Sequence, residues 1–191
     1  MNQPARLAIF LSGNGSNAEA IFSHFKNHPT ITVALVLSNN PEAFGLQRAK
    51  NFGLKTHVFD RNQFHESEVV LNWLKEEQVT HIALAGFLWM IPQNLIHAYP
   101  KHIINIHPAL LPKFGGKGMY GSKVHAAVKA ADEKETGITL HEVNEKYDEG
   151  KIIFQAKCEV PPEDTLESIA EKVQALEHNH YPREIEKWIN R

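Results

Sequence analysis

Short apolar runs alternate with amphipathic stretches through the first half of the chain, the rhythm that strands and crossover helices give to a parallel sheet. Residues 7–11 read as a buried strand, 12–17 as a polar turn and 18–26 as the helix that follows. Residues 31–37 form the next apolar run, after which Pro41 opens a helix that Gly53 closes as a left-handed cap. A short strand is expected at 55–59. The stretch 66–77 brings Val69, Val70, Trp73 and Leu74 onto one helical face. Strands at 81–85 and 102–106 flank a helix begun by Pro92.

After Ile106 the rhythm changes. A loop carrying Gly115, Gly116, Gly118 and Gly121 leads to a helix near 123–131. Two alternating runs, 137–143 and 151–160, then read as an antiparallel hairpin joined by residues 144–150. A closing helix spans about 165–190, with an interruption expected at Pro182. No repeat, low-complexity tract or linker divides the 191 residues, so one domain is expected over 1–191. The fold class is α/β: a Rossmann-like, mostly parallel twisted sheet with helices on both faces and a C-terminal antiparallel hairpin.

A formal net charge of −2 argues against a general nucleic-acid binder and for small-molecule partners. The single cysteine, Cys158, has no partner for an internal disulfide and fits a reducing compartment, most simply as a small strand residue. Met1 to Arg6 are polar, without a signal-peptide apolar region, and no apolar run approaches the roughly 18 residues of a membrane span. The expected location is cytoplasmic, with no membrane partner and either a monomer or a homodimer.

The richest chemistry lies at 105–112, an apolar strand that ends on an amide and an imidazole before a proline-braced turn. Asn105 and His107 are two residues apart, so their side chains leave one face at the carboxyl end of a strand. With twelve histidines in the chain, His107 alone would be unremarkable. A carboxylate would change that: Asp148, if its loop folds back over the strand end, stabilises the imidazolium, raises its pKa and makes it a general acid. Asn105 would then hold a developing oxyanion. A solvated loop acid is the plainer reading of Asp148. Residues 12–17, with Gly13 and Gly15 before a helix, suit a phosphate or are simply a strand-to-helix turn. The loop lacks the third glycine of a dinucleotide fingerprint and the lysine of a nucleotide-triphosphate loop. His178 and His180 point in different directions on a helix, and no ligand cluster suggests a metal.

Taken together, 105–112, 12–17, the segment Leu84, Ala85, Gly86 and Phe87, the loop with Asp148 and Gly150, and the run 174–178 resemble the phosphoribosylglycinamide formyltransferases, folate-dependent enzymes of purine synthesis. The resemblance covers nearly the whole chain in the family's order and implies the formyltransferase fold. It implies that Asn105, His107 and Asp148 are catalytic and that Gly15, Ser16 and Asn17 bind the phosphate of glycinamide ribonucleotide. Gln174 and Glu177 match positions that hold the ribonucleotide, Glu177 facing its amine. The co-substrate 10-formyltetrahydrofolate is implied against Leu88, Trp89, Met90 and Ile91, against Asn144, Glu145, Lys146, Tyr147 and Asp148, and at Asn105 and Ser67.

Two positions depart from the family. Trp89 and Ser67 stand where it has arginines, leaving Arg61, Lys113 and Lys117 as candidate cations for the folate tail. The loop 113–123 resembles a variant branch. Other uses of the same trio are hydrolysis of formyltetrahydrofolate and transfer to a charged tRNA; the phosphate loop and Glu177 favour a phosphorylated amine. A non-catalytic nucleotide-binding module would explain the loop but give Asn105, His107 and Asp148 no shared purpose.

Overall fold

The structure is a computed structural model that describes residues 4–191; Met1, Asn2 and Gln3, half of the polar start expected at 1–6, lie outside the described residues. The elements run β1 (Ala5–Leu11), α1 (Ser16–Phe25), β2 (Ile31–Ser38), α2 (Phe44–Asn51), β3 (Thr56–Val58), α3 (Arg61–His65), α4 (Val69–Glu76), β4 (His81–Leu84), α5 (Gln93–Ala98), β5 (Ile103–His107), α6 (Ser122–Ala130), β6 (Glu135–Glu142), β7 (Ile152–Glu159) and α7 (Leu166–Ile189). The strands form one sheet in the order β3-β2-β1-β4-β5-β6-β7. Pairing is parallel from β3 across to β5 and antiparallel from β5 through β7. Among the described residues no helix is long and apolar enough to cross a membrane.

Both faces of the sheet are covered, and the period-2 geometry of β1 shows it. Leu7, Ile9 and Leu11 join a core with Ile21 and Phe22 of α1 and Val173, Tyr181 and Ile185 of α7. Ala8 and Phe10 join a second core with Phe64 of α3, Val70 and Leu74 of α4 and Leu95 of α5. A bulge lets β2 do the same: Leu7 pairs with Val33 but Ala8 with Leu35, so Val33 and Val36 share one core and Leu35 and Leu37 the other. In β5, Ile104 and Ile106 face the α7 side, which turns Asn105 and His107 to the opposite face with Ile103.

The chain goes from β1 outward to β3, then returns to β4 on the other flank, so the segments after β1 and β4 diverge toward opposite faces of the sheet. That divergence is the crevice where ligands bind in open α/β sheets. The Ser12 amide donates to the Gly86 carbonyl at 3.1 Å across it.

Three local expectations are corrected. The second helix starts at Phe44 rather than Pro41, because Asn40 Oδ1 accepts the Glu42 amide at 3.0 Å and holds the segment as a turn. The expected helix at 66–77 begins only at Val69, after a separate α3 closed by a capping box: Asp60 Oδ1 accepts the Gln63 amide at 2.8 Å, and Gln63 Oε1 accepts the Asp60 amide at 3.0 Å. Helix α7 is unbroken at Pro182. The missing proline N–H leaves one carbonyl, that of exposed His178, to water, while buried Tyr181, Ile185 and Trp188 hold the helix to the sheet.

Candidate active site

At the carboxyl end of β5 three elements meet. Antiparallel pairing sets Asn105 opposite His141 of β6 and His107 opposite Thr139. The connection between β6 and β7 then folds back over the same face and delivers Asp148, in a left-handed conformation (φ 54°) that aspartate tolerates better than most residues. Gly150 makes this path possible: a Cβ there would lie 1.6 Å from the Glu142 carbonyl oxygen. Asp148 Oδ2 accepts the Gly116 amide at 2.9 Å and lies 3.5 Å from His107 Nδ1, while Oδ1 lies 3.4 Å from His141 Nε2. The carboxylate is thus flanked by two imidazoles. Asn105 Nδ2 and His141 Nε2 are 3.1 Å apart.

Burial decides the charge of this cluster. His107 is 3 % exposed, and the cost of burying an imidazolium pulls its pKa below the usual value despite Asp148 and the Phe114 carbonyl, which raise it; His141 adds to the fall. The expectation that Asp148 raises the pKa of His107 above normal is therefore corrected in its net direction. Burial alone would raise Asp148 as well, but the His141 hydrogen bond, the His107 charge and the Gly116 amide outweigh it and hold the carboxyl low. His107 Nε2–H donates to the Phe114 carbonyl at 2.8 Å, and Nδ1 faces Asp148 at 3.5 Å.

The loop after β1 is held by its neighbours. Gly15 caps α1 with φ 76°, and a Cβ there would lie 2.5 Å from Gly45 Cα, so only glycine fits. Arg48 Nε donates to the Asn14 carbonyl at 3.0 Å and its guanidinium also pairs with Glu19. Ser16 and Asn17 follow in the first turn of α1, where backbone amides have no helical partner. Helix α7 runs alongside: Gln174 Nε2 donates to Ser16 Oγ at 3.2 Å and Asn17 Nδ2 to Glu177 Oε2 at 3.0 Å. Burial raises the pKa of Glu177, the Asn17 bond opposing it.

One cavity of about 490 Å³ joins these parts. It is lined by Asn17 and Glu177, by Asn105, His107, Asp148 and His141, and by Leu88, Trp89, Met90, Ile91, Asn144, Lys146 and Tyr147, among others. Leu88 and Met90 are half exposed at its mouth. Gly15, Ser16 and Gln174 stand beside it rather than in its lining. Glu145 turns away, 3.6 Å from His97 Nε2. Ser67 lies in a separate open groove of about 710 Å³ with Arg61, His65, Glu66 and Gln93, its hydroxyl donating to the Gln63 carbonyl at 3.0 Å. That groove adjoins Trp89, over whose ring the Arg61 guanidinium sits at 5.2 Å. Lys113 is instead paired with Glu133 at 2.8 Å.

Two histidines of the cavity escaped the sequence reading. His141 sits inside an alternating strand and acquires meaning only from the β5–β6 register. His125 of α6 is 8 % exposed, its Nδ1 has no partner among the described residues, and burial lowers its pKa. No group of three or more potential metal ligands is found among the described residues.

Comparison with known proteins identifies the family. The profile of the formyl transferase family matches residues 5–185. A phosphoribosylglycinamide formyltransferase of Bacillus subtilis is 37% identical over 189 residues, covering 96% of this chain and 94% of the relative. The chloroplastic enzyme of that name from Arabidopsis thaliana is 39% identical over 92% of this chain, which spans 62% of that relative's length. The crystal structure of the Bacillus halodurans phosphoribosylglycinamide formyltransferase superposes with a TM-score of 0.87 at 36% identity, covering 97% of this chain and 96% of that one.

Proposed function

The chain belongs to the formyl transferase family, and from that premise we propose that it transfers the formyl group of 10-formyltetrahydrofolate to the amine of 5-phosphoribosylglycinamide in purine biosynthesis. The observation that carries this reading is one cavity lined by a half-buried carboxylate, Glu177, by the apolar Leu88, Met90 and Ile91, and by Asn105 beside the His107–Asp148–His141 cluster. The open amides of the first turn of α1, with Gly15, Ser16 and Asn17, take the substrate phosphate. Gln174 supports that loop. Glu177, its pKa raised by burial, orients the amine and takes its proton.

The folate ring fits the cavity mouth, where Leu88, Met90, Ile91 and Tyr147 offer apolar surface and the backbone of 88–91 and 144–148 offers polar edges. Ser67 and Glu145 are assigned no direct contact in this reading; Arg61, beside Trp89, is the cation for the anionic tail. Asn105 holds the charge that develops on the formyl oxygen. His107, next to Asp148, donates a second hydrogen bond to that oxygen through Nε2–H, which the Phe114 carbonyl must first release. No nucleic-acid or membrane partner is invoked, and the free Cys158 suits the cytoplasm.

Release of tetrahydrofolate is followed by absorbance with and without glycinamide ribonucleotide. Acceptor-dependent release is expected, and Asn105→Ala, His107→Ala and Asp148→Ala should each lose about 10²–10³ in turnover while keeping the wild-type circular dichroism. Equal release without acceptor would make the protein a hydrolase, and near-normal turnover in folded His107→Ala would remove that residue from the mechanism.

A further inference from the structure

We infer that Ser12 is a positioning residue for the transfer step: its hydroxyl fastens the start of the phosphate loop to the cavity wall at Leu88 and so sets the separation of the two substrates. The inference rests on the formyl-transfer reading of the cavity and adds a residue to it. The parallel ladder of β1 and β4 outlasts the strands, with the Ala85 amide donating to the Phe10 carbonyl at 2.8 Å and the Ser12 amide to the Gly86 carbonyl at 3.1 Å. At Gly86 the backbone turns left-handed, φ 73°, and the chain leaves the ladder. A side chain supplies the next rung: the Leu88 amide donates to Ser12 Oγ at 3.0 Å.

A backbone N–H can only donate, so Ser12 Oγ accepts from Leu88 and keeps its one proton for another partner. That proton goes to Asn39 Oδ1 at 2.7 Å, and Asn40 Nδ2 donates to the Ser12 carbonyl at 3.2 Å. Asn39 and Asn40 directly follow β2, so a single residue prolongs β1 and is bonded to the segments that leave β2 and β4. At 8 % exposure, water has little access to take over these bonds.

In the formyl-transfer reading, residues 15–17 hold the ribonucleotide and 88–91 the folate. The amine and the formyl carbon therefore ride on two separate segments, and reaction needs them within about 3–3.5 Å of each other. Ser12 stands three residues before Gly15 and bonds Leu88 directly. The rest of the loop has its own supports, the Gly45 amide on the Gly13 carbonyl at 3.1 Å and Arg48 Nε on the Asn14 carbonyl at 3.0 Å. Losing the hydroxyl should thus leave each subsite formed and loosen the distance between them.

The test uses Ser12→Ala, which removes both side-chain bonds, and Ser12→Thr, which keeps the hydroxyl. Steady-state kinetics for both substrates are paired with ¹H–¹⁵N NMR spectra of the folded proteins titrated with inorganic phosphate. Expected are a kcat loss of about 30-fold in Ser12→Ala with both KM values within about threefold, and recovery to within about fivefold of wild type in Ser12→Thr. Phosphate filling the loop should shift the Leu88 amide resonance in the wild type and in Ser12→Thr, and leave it in place in Ser12→Ala. A kcat within about threefold of wild type in Ser12→Ala, no recovery in folded Ser12→Thr, or a Leu88 amide that stays put in the wild type or moves equally in Ser12→Ala would overturn the assignment. The phosphate arm needs no folate. Absence of acceptor-dependent transfer in the wild type would defeat the formyl-transfer reading, while the Leu88 resonance still decides whether Ser12 joins the two segments.

Discussion

His81 provides a measurable link between burial and stability, at the end of the sheet opposite the cavity. It opens β4 with its Nδ1 2.9 Å from Thr80 Oγ1 and its ring edge-on to His102 and Trp188, at centroid distances of 4.8 and 5.0 Å. Burial first, and the charge of His102 second, lower its pKa from 6.5 to about 4. A base whose folded pKa is depressed stabilises the fold fully above 6.5; the contribution falls as pH drops below 6.5 and is gone once pH passes below about 4. At about 1.4 kcal/mol per factor of ten, the whole effect is about 3 kcal/mol, and the part lost between pH 7.5 and 5.5 is about 1.3 kcal/mol. His81→Phe keeps an aromatic edge against Trp188 and removes the titration. Urea unfolding of both proteins at the two pH values isolates His81 from the other buried histidines, because their contribution cancels in the double difference. The wild type should lose about 1.3 kcal/mol more than the variant. Equal pH dependence, within about 0.3 kcal/mol, would refute the reasoning.

Three further outcomes follow from the packing. Tyr181→Phe removes a fully buried hydroxyl that donates to the Leu84 carbonyl at 2.9 Å, and should cost about 1–2 kcal/mol in urea unfolding with little change in KM; an unchanged midpoint would deny that bond a role. Gly150→Ala drives a Cβ into the backbone of Glu142, so the β6–β7 connection must shift, and both thermal stability and turnover should fall sharply; wild-type melting and activity together would contradict the close approach. Glu177→Gln keeps an acceptor for Asn17 but loses the charge facing the amine, so KM for glycinamide ribonucleotide should rise about tenfold while KM for the folate is unchanged, measured by steady-state kinetics.

Much of the fold is written in local pattern, because each apolar run of β1, β2, β4 and β5 is short and each intervening helix has one apolar stripe. What pattern could not supply was tertiary. Helix α3 is a single capped turn between Asp60 and Gln63, too short for a hydrophobic period to register, and its presence moves Ser67 into a groove apart from the main cavity. Pro182 reads as a helix breaker, yet its neighbours on both sides bury enough apolar surface to keep α7 continuous. Asn105 and His107 were visible from their two-residue spacing alone. The net pKa of His107 was not, since it depends on how deeply the loop at 113–118 covers it, and spacing carries no measure of burial.

The position of the cluster follows from the one change of direction in the sheet. A parallel neighbour on the far side of β5 would have run back through a helix and left the carboxyl end of the strand open on that flank. Because β6 is antiparallel, its pairing with β5 runs from Thr139 beside His107 to Glu142 beside Ile104, so His141 pairs with Asn105 directly and the chain emerges at the foot of β5. There the Val143 amide bonds to the Ile103 carbonyl at 2.9 Å, and the connection folds back over the face of β5 before β7 begins. That return path carries Asp148 past both imidazoles. An acid placed before β6 could have reached His107 at the strand end, but only a residue on the returning segment lies within 3.5 Å of His107 and His141 together. The carboxylate beside His107 and the imidazole opposite Asn105 are therefore both placed by a single strand reversal.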